Sequence, residues 1–303
     1  MISQPDSLVP VTAVIFTYDE EVNIEACLKS IAGWCQEIFV VDSGSTDRTL
    51  EICRKYTDNV RSHPYVDHAS QWEWTLKNLP FAGEWVLRLD ADNVVSGRLK
   101  EQIRSVVAKS ETGIDGYYAA HRHFFRNRPV RGLKTHWLSL IRHKNTHIDH
   151  RELVDFRFVV RGATRTLSGE IIESNQNELS IDFWIDKHQK FSSRMAVEEV
   201  LRVSGDLNWS IRPSLLGNPD ERMIWLKNVW YHLPLYVRPF LYFFYRYFLR
   251  LGFLDGTTGF VYHFLHAFWF RLMVDIKISE LRQQIKQGKL SPQQLKASFI
   301  HKF

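Results

Sequence analysis

The amino-acid sequence predicts an α/β fold, in which a mainly parallel twisted sheet is flanked by helices and followed by a C-terminal α-helical region. Short apolar or β-branched runs, typical of buried strands, occupy residues 11–16, 37–41 and 85–89. Amphipathic helical patterns separate them at residues 20–32 and 48–56. Because strands that alternate with helices favour a parallel sheet, we expect ligands at the carboxyl ends of the strands.

The 303 residues, 45% of them hydrophobic and 24% charged, are enough for one large or two modest domains. A turn-rich break at residues 216–220 precedes a shift to dense aromatics. We therefore predict one domain at 1–217, with halves of about 1–110 and 111–217, and a helical region at 218–303.

Cysteine usage and charge indicate the surroundings of the protein. Cys27, Cys35 and Cys53 are odd in number and have no CxxC or His-paired spacing, which argues against a disulfide framework or structural zinc and favours the reducing cytosol. The net charge of +5 is unevenly distributed along the chain, because the part from Lys187 onward is basic and the preceding part is acidic. An anionic partner is expected for the C-terminal part.

Acidic residues follow the predicted strands. Asp42 closes the second strand, and Asp90 and Asp92 follow the third. Carboxylate oxygens are the ligands that Mg²⁺ or Mn²⁺ prefers, and such an ion could hold a diphosphate. A carboxylate at Asp42 could also accept a hydrogen bond from the imide of a uracil ring. The alternative is that these residues form solvated acidic turns and helix caps.

The absence of characteristic motifs argues against dinucleotide, P-loop and zinc sites. No GxGxxG and no glycine-rich loop with a lysine follows the first strand, which argues against dinucleotide and P-loop chemistry. Phosphate charge must then be met by a metal and basic side chains. The histidines between 121 and 150 show no HExxH or other zinc spacing, so contacts to sugars or surface positions are the favoured interpretations.

Three segments in order, residues 14–21, 40–49 and 85–92, resemble the N-terminal signatures of family 2 glycosyltransferases, which have the GT-A fold. The likeness extends into a bacterial surface-polysaccharide branch through residues 186–188 and 251–256. The resemblance implies an inverting, metal-dependent transferase. It would move a sugar from a UDP-sugar donor to a lipid-linked glycan or surface-polysaccharide acceptor.

The resemblance also implies roles for individual residues. Asp90 and Asp92 would hold Mn²⁺ or Mg²⁺. The general base would come from an acidic stretch after these residues, where Asp149 and Glu152 both qualify and the choice stays open. The donor would be bound by residues near the first three strands and by a later basic pair, namely Thr17, Tyr18, Glu20, Asp42, Ser43, Gln71, Asp90, Ala91, Lys187 and His188.

Two positions depart from the family pattern. Asn93 stands where an acidic residue commonly follows the DxD, and Glu73 stands where this branch usually has asparagine. They motivate a second hypothesis, a binding or scaffold protein that keeps the fold but has little turnover.

The C-terminal aromatic region predicts contact with a membrane. On a helix over residues 235–250, Arg238, Arg246 and Arg250 fall on one arc and aromatic or aliphatic residues fill the rest. Sixteen residues rise about 24 Å, less than a hydrocarbon core of about 30 Å. We therefore expect peripheral helices on an anionic leaflet, at the cytoplasmic face of the bacterial inner membrane.

Two alternatives to the membrane are a soluble helical cap and a protein interface. Nucleic-acid binding is disfavoured, because aromatic and aliphatic residues outweigh the basic ones and no known nucleic-acid motif is present.

Overall fold

The structure of the chain is a computed structural model that describes residues 7–152, 154 and 156–300, without the side chains of 298–300. The predicted domain limits at residues 1 and 303 lie outside the described residues. The described strands are β1 (Val9–Thr17), β2 (Cys35–Asp42), β3 (Val60–Ser62), β4 (Trp85–Asp90), β5 (Asn93–Val95), β6 (Ile114–Phe125), β7 (Arg128–Arg142), β8 (Thr146–Asp149), β9 (Arg157–Val160) and β10 (Ala163–Glu173).

Eight of these strands form one sheet in the order β3-β2-β1-β4-β7-β6-β10-β5, and β8 pairs with β9 in a second sheet. Neighbours β3-β2, β2-β1, β1-β4 and β6-β10 are parallel, whereas β4-β7 and β10-β5 are antiparallel. The prediction of a mainly parallel sheet is confirmed.

Helices lie between the strands and after the last one. They are α1 (Ile24–Ile31), α2 (Thr49–Cys53), α3 (His68–Asn78), α4 (Gly97–Lys109), α5 (Ile181–Val203), α6 (Pro219–Tyr231), α7 (Arg238–Phe244), α8 (Gly256–His263), α9 (Phe270–Lys286) and α10 (Pro292–Ile300). A π-helical segment, Tyr245–Leu249, extends α7, and a second one, Phe264–Trp269, joins α8 to α9. A short turn at Gly252–Asp255 separates α7 from α8.

The backbone divides into two compact units. Among the described residues, the first unit comprises those within 1–124, 134–148 and 158–176, and the second comprises those within 125–133, 149–157 and 177–303. Residues 177–217 therefore group with the C-terminal helices, whereas the sequence-based boundary placed them in the first domain. The reason is α5, which packs Ala196, Val200 and Leu201 against Phe270, Val274 and Ile278 of α9. The assignment of functions to domains stays a prediction.

Helix α1 packs on the sheet of the first unit through an apolar stripe. Ile24, Leu28 and Ile31, at helical spacing, are fully buried against alternate residues of β1 such as Ala13 and Ile15. Burying each of these side chains stabilises the fold by about 1.5–3 kcal/mol. This packing fixes α1 directly after the carboxyl end of β1.

One prediction about the C-terminal helices is wrong. Arg238 and Arg246 do not line an exposed basic arc, since both are fully buried and only Arg250 of the three is exposed. Arg238 donates to Asp275 at 2.8 Å and to Glu199 at 2.8 Å. A buried guanidinium needs such partners, because unpaired burial of a charge is costly.

The surface opposite these arginines is apolar. We call it the aromatic face. It consists of exposed side chains just before α7, on α7 and its π-helical extension, on the following turn, on α8 and at the start of the second π-helical segment, namely Tyr236, Val237, Phe240, Leu241, Phe244, Tyr245, Phe248, Leu249, Leu251, Phe253, Leu254, Phe260 and Phe264. No helix in the described part of the chain has both the length and the hydrophobicity needed to cross a bilayer.

Candidate active site

The acidic residues of the first unit lie at one edge of its sheet. Strand β1 runs between β2 and β4, and Thr17 is in register with Asp42 while Phe16 is in register with Asp90. Because the three strands are parallel, their carboxyl ends meet at the same edge. Asp42 and Asp90 therefore flank the end of β1.

The loop after β2 folds around the Asp42 carboxylate. Oδ2 of Asp42 accepts hydrogen bonds from the backbone N–H of Gly44 at 2.9 Å and of Ser45 at 3.0 Å. Gly44 has a φ of +101°, which a residue with a side chain rarely adopts. The side chain of Asp42 is thus held by its own loop, and only 3% of the residue is exposed.

Three further predicted donor residues lie beside Asp42. The N–H of Ser43 donates to the carbonyl of Thr17 at 3.0 Å, and Nε2 of Gln71 donates to the Ser43 hydroxyl at 3.3 Å. Gln71 is buried and also bonds His63 at 2.7 Å. Tyr18, in contrast, is 59% exposed, so its ring is open to a ligand or to solvent.

The acidic loop after β1 is tied to the loop after β2. Asp19 adopts a φ of 52°, and its Oδ1 accepts the N–H of Thr46 at 2.7 Å. The N–H of Glu20 donates to the hydroxyl of Thr49 at 2.8 Å. These bonds place Glu20 over the start of α2, on the Asp42 side of β1.

The Asp90-Ala91-Asp92 segment is held by amide side chains. Asn93 accepts the N–H of Asp90 at 3.1 Å and donates to Oδ1 of Asp92 at 2.8 Å. Asn175, which follows β10, donates to Oδ2 of Asp92 at 3.1 Å. Ala91 is buried between the two acids, with 4% exposed.

The two carboxylates also act on a common neighbour. Burial raises the pKa of the Cys27 thiol on α1 well above its usual value, and the negative charges of Asp92 and Asp90 raise it further. Both acids therefore lie near the same buried helix position.

The oxygen chemistry of this segment suits a divalent cation. Among the residues that the structure describes, no group of three or more His, Cys, Asp or Glu side chains is arranged to hold a metal ion. Metal ligation by Asp90 and Asp92 therefore stays a prediction. The amides on Asp92 use one lone pair of each oxygen and leave others for a metal.

The two candidate bases belong to the second unit. Asp149 is buried, accepts the N–H of Arg151 at 3.1 Å and accepts the hydroxyl of Ser210. Glu152 is 1% exposed at its side chain and pairs with Arg157 at 2.5 Å. Burial raises the pKa of Glu152, although Lys227 and Arg157 oppose the shift. The catalytic role of either residue stays a prediction.

Lys187 and His188 lie on α5, also in the second unit. Lys187 pairs with Glu178 at 2.7 Å. The imidazole of His188 stacks on the Trp184 indole with ring centroids 3.5 Å apart, and burial lowers the pKa of His188 to about 4. Diphosphate contacts from these two residues stay a prediction.

Sequence reasoning missed Asn23 and Asn175, which connect the acidic loop after β1 to Asp92. Nδ2 of Asn23 donates to Oδ1 of Asn175 at 3.2 Å, across 152 residues of sequence. No local pattern signals such a bond, because each amide by itself is an ordinary loop or helix-start residue.

β1, β2 and β4 are parallel, and the acids that end β2 and β4 lie at the edge where α/β sheets commonly bind ligands. Comparison with known proteins gives the class. Residues 12–168 match the family described as "Glycosyl transferase family 2". The chain belongs to that family, and its activity is therefore transfer of a sugar from a nucleotide-sugar donor.

Individual relatives are similar over most of the chain. The lipopolysaccharide core biosynthesis glycosyltransferase LpsC of Rhizobium meliloti is 28% identical over 267 residues, covering 85% of this chain and 90% of the relative. An uncharacterized glycosyltransferase of Rickettsia bellii is 24% identical over 303 residues, covering 96% and 92%.

A solved structure of glucosyl-3-phosphoglycerate synthase from Mycobacterium tuberculosis, in complex with Mn²⁺, UDP and phosphoglyceric acid, is 22% identical with a TM-score of 0.28. The match covers 38% of this chain and 43% of that one.

Proposed function

We propose that the protein is a metal-dependent inverting glycosyltransferase that uses a UDP-sugar donor. The observation that carries the proposal is the position of Asp42 and Asp90 on either side of the β1 end, with Asp92 two residues further on. The Asp42 side would hold the uracil and the Asp90 side the ribose and diphosphate. This division follows the order of the family motifs.

Asp90 and Asp92 would hold Mn²⁺ or Mg²⁺. When bound, such an ion neutralises charge on a departing diphosphate. The chain contributes the fixed carboxylates: Asn93 and Asn175 donate to the two Asp92 oxygens and thereby set the plane of that carboxylate.

The inverting reaction needs a base that removes the proton of the acceptor hydroxyl as it attacks the anomeric carbon. Asp149 suits this role better than Glu152. The Glu152 carboxylate is held by Arg157 inside the second unit, whereas the Asp149 carboxylate accepts hydrogen bonds from an N–H and a hydroxyl. General-base assistance is worth about 10²–10⁴ in rate.

The scaffold hypothesis is supported less well. Asn93 performs a task that an ionised acid could not, because it accepts from the Asp90 N–H and donates to Asp92 at once. Glu73 is exposed on α3, and residues two positions apart on a helix do not face each other, so it points away from buried Gln71. Neither departure from the family pattern therefore favours the scaffold hypothesis over an active enzyme.

Hydrolysis of UDP-sugars in the presence of Mn²⁺ tests the proposal. We expect release of UDP by the wild-type chain and a loss of at least about 100-fold in Asp92→Ala, with unchanged thermal unfolding. Asp58→Ala, an acid-to-alanine change at a loop before β3, serves as the matched control. UDP binding without turnover in the wild type would support the scaffold instead.

The acceptor that we propose is a lipid-linked or surface-polysaccharide glycan at the cytoplasmic face of the bacterial inner membrane. The aromatic face supports a membrane location, because exposed apolar patches of this extent are rare on soluble monomers. The relative LpsC, named for lipopolysaccharide core biosynthesis, is consistent with such an acceptor.

Basic residues border the aromatic face within the second unit. The tip of the β6-β7 hairpin carries exposed Arg126, Arg128 and Arg131. The N–H of Arg131 donates to the carboxylate of Asp255 at 2.6 Å, next to exposed Leu254. Arginines beside aromatic and aliphatic side chains match an anionic lipid surface, so we propose that this surface rests on an anionic leaflet.

A further inference from the structure

Asn23 occupies the position that caps the N-terminus of α1, yet its side chain makes no capping bond. The residue is 3% exposed. Its Nδ2 donates to Oε2 of Glu20 at 2.6 Å and to Oδ1 of Asn175 at 3.2 Å, and its Oδ1 accepts the N–H of Gln176 at 2.7 Å. The amide is therefore used for tertiary contacts in place of the usual cap.

The chain of hydrogen bonds continues to the DxD segment. Nδ2 of Asn175 donates to Oδ2 of Asp92 at 3.1 Å, and the N–H of Ser174 donates to the Asp92 carbonyl at 3.2 Å. The orientation of both amides follows from their partners. A backbone N–H such as that of Gln176 can only donate, and an ionised carboxylate can only accept.

We propose that Asn23 and Asn175 are positioning residues, an amide latch that holds the Asp92 carboxylate for the divalent cation and couples it to Glu20. This inference rests on the proposed function. An amide at Asn175 orients the carboxylate without neutralising it, whereas a lysine or arginine there would compete with the cation. The latch needs Asn23 as an amide, because that side chain donates twice and accepts once.

The latch joins two parts of the site that are distant in sequence. Glu20 belongs to the loop assigned to the nucleoside, and Asp92 belongs to the segment assigned to the diphosphate and cation. Because one connected set of hydrogen bonds orders both, loss of the Asn175 amide should weaken the coupling between UDP and Mn²⁺, which already meet at the diphosphate. The latch thus predicts a smaller coupling between the two ligands in Asn175→Ala than in the wild type.

The test titrates the full-length chain with Mn²⁺ alone, UDP alone and both together, by calorimetry. In Asn175→Ala we expect Mn²⁺ affinity in the presence of UDP to fall about 10–100-fold, the effect typical of losing a hydrogen bond to a metal ligand. In the same variant, we expect the affinity for UDP without metal to differ from that of the wild type by less than about twofold. A high Mn²⁺ concentration should restore its kcat for UDP-sugar hydrolysis. Asn78→Ala is the control, since that exposed amide donates to the Trp74 carbonyl of its own helix.

The outcomes separate this inference from the proposed function. If the wild type binds no UDP with Mn²⁺, the proposed function falls and the latch with it. If the wild type binds both and a folded Asn175→Ala keeps the same Mn²⁺ affinity and coupling, the latch alone is overturned. Should Asn175→Ala unfold, Asn175→Gln keeps an amide displaced by one methylene, and it too must weaken Mn²⁺ binding for the latch to stand.

Discussion

The guanidinium of Arg238 lies 2.6 Å from the carboxylate of Asp275, and neither side chain has any exposed surface. Arg238 also pairs with Glu199 at 2.8 Å, so removing Arg238 leaves two buried carboxylates uncompensated. We expect Arg238→Ala to lower the free energy of unfolding of the second unit by about 3–5 kcal/mol, measured by urea denaturation.

The control for this ion pair is Lys29→Ala, which breaks a pair with Glu25 whose side chains are 63% and 49% exposed. Pairs of that kind contribute less than about 1 kcal/mol. Equal effects of the two substitutions would contradict the structural role assigned to Arg238.

Gly252 gives a physical reason for the 251–256 motif. A Cβ at this position would lie 2.2 Å from Nε2 of His263, which is fully buried. Gly252→Ala should destabilise the chain by about 1–3 kcal/mol, because overpacking displaces the ring. Gly97→Ala is the matched control, since no atom lies within 4 Å of its added Cβ. A neutral effect of Gly252→Ala in thermal unfolding would refute this packing argument.

Acid should destabilise the protein through buried imidazoles. Burial lowers the pKa of His263 to about 4, with Arg246 lowering it and Asp255 raising it. The unfolded chain binds its proton near the ordinary pKa of about 6.5, so the unfolded state gains protons first as the pH falls. Stability is complete above about pH 6.5 and is lost progressively toward pH 4.

The size of this effect is about 2 kcal/mol for His263 at pH 5, from about 1.4 kcal/mol per unit of pKa shift. Urea unfolding at pH 7.5 and 5.0 measures it. His263→Gln should reduce the pH dependence by that amount, whereas His232→Gln, at an exposed site of the same unit, should leave it unchanged. An equal pH dependence of stability in the wild type, His263→Gln and His232→Gln would contradict the role of His263 in acid destabilisation.

Membrane contact should depend on the aromatic face. Phe240 and Phe244 are 59% and 53% exposed, and burying each in lipid is worth about 1.5–3 kcal/mol. We expect the double substitution Phe240→Ser with Phe244→Ser to weaken co-sedimentation with phosphatidylglycerol vesicles more than about tenfold. Leu216→Ser is the control, since Leu216 is 95% exposed but lies outside the aromatic face.

The exposed arginines of the β6-β7 hairpin should make membrane binding selective for anionic lipid. Each basic side chain near such a surface contributes about 1 kcal/mol, so Arg126→Glu with Arg128→Glu should weaken binding to anionic but not to neutral vesicles. The opposite outcome is a wild-type chain that binds neither anionic nor neutral vesicles and self-associates through Phe240. That outcome would identify the aromatic face as a protein interface.

Local patterns predicted the three strands that carry Asp42 and Asp90 at their edge of the sheet. The apolar runs at 11–16, 37–41 and 85–89 became β1, β2 and β4 with small shifts at their ends. A short apolar stretch bounded by turn residues leaves few alternatives to a buried strand. The carboxyl ends of parallel strands meet at one edge, so Asp42 and Asp90 were expected at that edge, whereas the strand order that puts β1 between them came from the structure.

The sequence by itself therefore determined the strands, the acids at their ends and the family motifs, because each is written in consecutive residues. Only the tertiary structure decided which face of α7 is buried. Helical spacing groups Arg238 with Arg246 but does not say whether that arc meets solvent or the carboxylate of Asp275, 37 residues away. The pairing of Asn23 with Asn175 likewise arises only when folding brings the β1 loop to the end of β10.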